Sequence, residues 1–425
     1  MPGRQELHSE EIPARPALLR RYVLFSLGST TADFAFGAVF VTVLLARGID
    51  PLQLGTLLAA SAVFGLAAEA PSGALGDRYG HRRLLASGLV VWGTGFVLFG
   101  WADGVPVTLL GTVLWAVGFH LHSGALTALV VNRMGTRDRA VRVARVVRWG
   151  QIGSRFGGVL GGVTVMLGGT WLSGDALILV AGAMLVALGL AVPLSFPASP
   201  GRPGVSVGAL VRESVTTLAG RRFAPLVVLV VGLTVVKAVL VMSWQPLVTA
   251  RYGDDVRING MVLLVMTFAL ALGAVCSRFL GHRHPHLWGS ACVIATGVPL
   301  FLVAWDLLPP VVGLILAEFL LGMSQALFVV WEHLMYSDAA RNALFSTMSF
   351  VALAVLSMTH VLFGWVWDGH GLETAMTVVL VVSAVAAAAT VPLAFAFPES
   401  RRFFDPGGGA GRGAPGDSEG SDVRE

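Results

Sequence analysis

The stretch "FAPLVVLVVGLTVVKAVLVMSWQPLV", Phe223 to Val248, carries one charge, Lys237, near the middle of an apolar run. A hydrocarbon core of about 30 Å takes about 20 helical residues, so the run predicts a membrane-spanning helix with an ammonium group at depth. Lys237 is also the only lysine; every other fixed positive charge is an arginine. The rest of the chain repeats the pattern. Mean hydropathy is +0.76, and 55% of the 425 residues are hydrophobic against 13% charged. Twelve stretches are long enough to span: residues 22–46, 52–75, 84–101, 106–131, 144–167, 175–197, 224–249, 259–280, 287–305, 310–336, 343–366 and 373–397. The expectation is an all-α membrane protein with twelve transmembrane helices in two pseudo-symmetric six-helix halves.

The basic balance, pI about 9.6, would fit a nucleic-acid partner only if the arginines formed a patch, and they do not. They follow loop parity: Arg15, Arg20, Arg21, Arg78, Arg82, Arg83, Arg133, Arg137, Arg139, Arg221, Arg222, Arg283 and Arg401 fall on one side of a twelve-span chain, and only Arg47, Arg251 and Arg257 on the other. Positively charged loops stay in the cytoplasm, which predicts two cytoplasmic termini on a multi-pass protein of the cell membrane. The first span carries Asp33 without a cleavage site and reads as a retained helix, not a signal peptide. Cys276 and Cys292 are expected as free thiols packed like small apolar residues.

The chain divides in the middle. "PASPGRPGVSVGALVRESVTTLAGRR", Pro197 to Arg222, opens Pro/Gly-rich and continues with Val207, Leu210, Val211 and Leu218 at helical spacing, predicting an amphipathic segment on the membrane surface. The expected organisation is a half at 1–197, a linker at 198–223, a second half at 224–400 and a disordered tail at 401–425. The halves echo each other: "GALGDRYGHRR" at Gly73–Arg83 returns 200 residues later as "GAVCSRFLGHR" at Gly273–Arg283. Parallel repeats of this kind are one plan of secondary transporters, with the substrate site between them near mid-membrane.

Three motifs resemble the major facilitator superfamily. In "GALGDRYGHRRLL", Gly73, Leu75, Asp77, Arg78, Gly80, Arg82 and Leu85 match its loop between spans two and three, with His81 at a position that usually carries a permanent charge. The resemblance implies a cytoplasmic latch between the halves. "EAPSG", Glu69 to Gly73, looks like the pattern common among its drug-exporter-like members. "GSRFGGVLGG" in span five is similar to the exporters' glycine motif at Gly153, Gly157, Gly161 and Gly162, with Gly158 where that motif has proline. Small residues four apart also let two helices approach closely, so packing alone suffices to explain them. Leu114 stands where the family has an arginine in span four, so the arginine-dependent proton relay is not carried over.

In that family spans one, four, seven and ten line the cavity, and each carries ionisable residues here: Asp33; His120 and His122; Lys237; Glu318 and Glu332. Ionisable groups inside a membrane mark function by default. Asp33 and Lys237 lie 204 residues apart and are read as pseudo-symmetric mates that pair across the cavity, with Arg155 a partner for Glu69 or Asp33. A buried lysine releases its proton more readily than an arginine, which gives a reason for the lone lysine; a static ion pair is the competing explanation. His120 and His122, two apart, point in different directions and do not form a metal site. Phe36, Trp115, Phe119, Met242 and Trp244 supply an apolar wall, and Gln245 and Pro246 predict a bend near the outer end of span seven that forms part of an outer gate.

These features predict a non-enzymatic antiporter that exports a small amphiphilic compound, in the manner of multidrug efflux, against protons. Its partners are that compound, protons and lipid, with no nucleic acid, cofactor or metal, and it acts as a monomer. A proton-coupled importer is the first alternative and a non-transporting receptor or scaffold the second. No phosphate-binding loop or hydrolase elbow occurs.

Overall fold

The computed structural model describes residues 16–101, 103–131, 139–198, 223–280, 284–335 and 341–397. The expected linker helix and the tail lie outside these residues, apart from the linker's first and last positions. The first half holds α1 (Pro16–Gly37), α2 (Phe40–Ala46), α3 (Pro51–Tyr79), α4 (His81–Trp101), α5 (Val105–Val131), α6 (Arg139–Gly168) and α7 (Gly174–Ser195). The second holds α8 (Ala224–Tyr252), α9 (Val256–Cys276), a 3-10 turn (Ser277–Leu280), α10 (Pro285–Ala304), α11 (Pro310–Met335), α12 (Arg341–His370) and α13 (Leu372–Ala396). α1 and α2 make one interrupted span, so twelve spans result. Among the described residues, eleven stretches are long and apolar enough to cross a bilayer. The remaining span is α6, whose arginines at 139, 142, 145, 148 and 155 dilute its hydropathy.

Local chemistry sets the ends. Asp50 caps α3 by accepting from Gln53 N at 2.7 Å, the Gln53 side chain returns to the Asp50 amide, and Pro51 fills the first position. Ser173 caps α7 through Ala176 N. Asp255 caps α9 and chelates the Arg257 guanidinium, whose hydrogen bonds hold the Asp255 carboxyl below the usual carboxylate range. The motif expected as a loop after span two is instead mostly helix. α3 runs through Tyr79, and the turn is the single residue Gly80 at φ 91°, a conformation open to glycine.

Within the first half α4 packs on α5 and α7, α1 on α6 and α7, and α3 on α5; within the second α10 packs on α11 and α13, α8 on α12 and α13, and α9 on α11. Each pairing reappears six spans later, which is the pseudo-two-fold. The halves meet along α3–α12 and its symmetry mate α9–α6, with α2 against α8. These seams close at the arginine-poor face. A methyl group added at Gly55 would lie 2.3 Å from His360 O, and one at Gly364 would lie 2.4 Å from Pro51 O. On the other seam a methyl at Gly260 would sit 2.4 Å from Met166 N and one at Gly162 would sit 3.0 Å from Gly260 O. Ser357 Oγ donates to Ala59 O at 3.3 Å beside the first pair. Two, three and four turns below Gly162, on its own face of α6, Arg155, Gln151 and Arg148 are exposed. The halves therefore stand apart there, toward the arginine-rich face.

Candidate functional site

Asp33 on α1, Lys237 on α8 and Glu318 on α11 lie deep in the bundle, yet all three remain partly reachable by solvent. Side chains that are deep in the bundle yet partly accessible border its interior space. The charged neighbour of Lys237 is Glu318, not the expected Asp33. α8 packs against α11 inside one half, whereas α1 belongs to the opposite wall. Asp33 makes no ion pair or side-chain hydrogen bond among the described residues.

A second ionisable pair belongs to the first half. His120 Nδ1 on α5 lies 3.2 Å from Glu69 Oε2 on α3. One turn before Glu69, Gly65 leaves the hole that the ring fills: a methyl there would be 2.5 Å from His120 Nε2. The expected partner Arg155 is exposed and pairs with neither Glu69 nor Asp33. His122 turns away and packs on Trp92, ring centroids 5.5 Å apart. Among the described residues no group of three or more His, Cys, Asp or Glu is placed to hold a metal.

The apolar wall is split. Phe36 is fully buried and stacks on Phe96 at 3.9 Å, and Met242 and Trp244 also belong to the core. Trp115 and Phe119, one turn apart on α5, stay partly accessible. Gln245 is fully buried, and from the second half its amide enters the break between α1 and α2. Oε1 accepts from Val41 N and Thr42 N, both at 3.1 Å, and Nε2 donates to Gly37 O at 2.8 Å.

The latch residues engage their own half. Asp77 Oδ1 faces His81 Nε2 at 3.3 Å, Arg82 donates to Phe196 O at 3.2 Å, and Arg78 stacks over Tyr79. Gly73 borders open space, while Gly76, outside the family pattern, is the glycine that seats His81: a methyl added there would collide with the ring at Nδ1. Of the span-five glycines, Gly153, Gly157 and Gly161 admit the backbone of α1, and Gly162 that of α9.

The Major Facilitator Superfamily profile matches residues 22–355. The chain belongs to that superfamily. Two curated relatives are similar. The multidrug resistance protein MdtH of Aeromonas hydrophila subsp. hydrophila is 26% identical over 257 residues, 59% of this chain and 62% of that protein. The uncharacterized MFS-type transporter YxaM of Bacillus subtilis (strain 168) is 28% identical over 104 residues, 24% of this chain and 26% of that protein. The chain thus spans about a quarter to three fifths of these relatives' lengths. Among solved structures, a bacterial homolog of the human lysosomal transporter Spinster, in an inward-facing and unoccupied conformation, superposes with TM-score 0.70 at 16% identity, covering 92% of this chain and 99% of that one. The nucleoside transporter NupG gives 0.68 at 14%, covering 90% and 98%. Likeness at such identity shows the fold alone; the profile match is what places the chain in a superfamily of transporters, not enzymes.

Proposed function

We propose that this superfamily member exports a small amphiphilic organic compound across the cell membrane in exchange for protons. The observation that carries the reading is the deep, partly accessible set of ionisable groups beneath a closed arginine-poor face. The arginine bias makes the opposite, open face cytoplasmic, so the site is reached from inside the cell. Asp33 and the pairs Glu69–His120 and Lys237–Glu318 are the proton-handling groups, and Trp115 and Phe119 offer flat apolar surface to the compound. The similarity to MdtH supports efflux. Residues 1–197 and 224–400 rock as units about the site, and a monomer suffices. Gly73, Asp77, Arg78, Gly80 and Arg82 then latch the halves in the other state, where Asp77 leaves His81.

Labelled compounds offered to inverted vesicles with an acidic interior test the reading, since they report direction and coupling together. Gradient-dependent accumulation is expected. Accumulation confined to right-side-out vesicles would make the protein an importer. No gradient dependence in either orientation would remove proton coupling.

A further inference from the structure

The break in the first span lacks the groups that normally end a helix. α2 begins after Val39, whose side chain has no oxygen to offer the amides of Val41 and Thr42, and helix starts leave such donors open unless a side chain caps them. α1 ends with Gly37, whose carbonyl is likewise open. In an uninterrupted helix Val41 N–H would bond Gly37 C=O and Thr42 N–H would bond Ala38 C=O. The Gln245 amide stands in the first of these bonds: Oε1 takes the Val41 hydrogen, Nε2 supplies one to Gly37 O, and Oε1 also takes that of Thr42. A side chain inserted into the main-chain ladder is a recognised cause of helix breaks. Here the inserted group comes from the other half of the molecule.

We propose that Gln245 is a removable cap that couples the arginine-poor gate to the shape of the first span. With the face closed, Gln245 holds α1 and α2 apart as two helices. When α8 withdraws, Val41 bonds Gly37 directly and the span becomes continuous. The exchange replaces hydrogen bonds rather than deleting them, so both arrangements remain accessible to a protein that alternates between states. The proposal rests on alternating access and not on proton coupling or on the compound carried, so the vesicle assay and the test below fail independently.

The test places spin labels at Trp171→Cys and Leu307→Cys, exposed positions on opposite halves of the arginine-poor face, with Cys276 and Cys292 replaced by Ala. Distances are read by double electron–electron resonance in lipid nanodiscs. Gln245→Leu removes the cap. Gly37→Ala leaves it in place, adds a methyl that meets nothing within 4 Å, and favours continuous helix because alanine is the better helix former. Both are expected to move population from the short to the long distance, Gln245→Leu more. Hydrogen exchange at Val41 and Thr42 is expected to slow in Gly37→Ala. Should Gln245→Leu fail to fold, Gly37→Ala decides alone: an unchanged distance distribution in that variant overturns the proposal.

Discussion

At the arginine-poor face the halves touch through main chain, Gly55 on Gly364 and Gly162 on Gly260, with the uncharged amide of Gln245 reaching across. At mid-depth they face one another through ionisable side chains, but opposite charges lie within one half: Glu318 is the charged neighbour of Lys237, and Glu69 contacts His120 at 3.2 Å. Separating opposite charges in a poorly solvated interior is expensive, whereas separating neutral contacts of short range is not. The division allows the halves to part without breaking an ion pair, and lets protonation act inside a half while packing acts between halves.

The widest departure from this division would come from Lys237. If the lysine must release its proton beside Glu318, Lys237→Arg lowers gradient-driven transport by roughly 100-fold, the low end for a positioned proton-transfer group, with expression unchanged. Rates near the parent's would leave Lys237 as a burial partner only. In that case the double change Lys237→Met with Glu318→Gln should outperform either single change, because a lone buried charge is worse than none.

Crowding the neutral seam sharpens the other side. Gly364→Val drives a side chain into Pro51 O, and overpacking of this kind costs about 1–3 kcal/mol, charged here to the closed state alone. Ser357→Cys, beside that contact, should then label faster with a water-soluble maleimide. Unaltered labelling in the folded variant would show that the seam adapts.

The smallest effect is expected at the latch. Asp77 is exposed and, among the described residues, faces only His81 in this state, so Asp77→Asn should leave thermal stability unchanged and reduce transport about fivefold, the lower end of conformational couplings. A drop in melting temperature with normal transport would make it a helix-end contact.

Hydropathy located the spans because a bilayer imposes one length on all of them, and the 200-residue echo revealed the halves. Pairing was harder to read. Asp33 and Lys237 share a numbering offset, yet offset reports depth and not distance across the bundle, and the charged neighbour of Lys237 is Glu318 on the adjacent helix α11. Gly65, one turn before Glu69, was the available sign of the His120 ring seated there. The Gln245 cap had a weaker sign: Gly37 is a residue on which helices commonly end, but neither proline nor an N-capping residue occurs between Ala38 and Phe40 to mark where the next begins.

A seal built from glycine has an evolutionary direction. No side chain exists at Gly55, Gly364 or Gly260 to be improved, and every single-codon replacement adds atoms where main chain already sits. Random drift at these positions therefore moves the conformational balance one way, toward an exterior that stays ajar, and compensation must arise elsewhere. Lineages that need a tighter exterior are expected to acquire it in the loops, where room remains for new contacts.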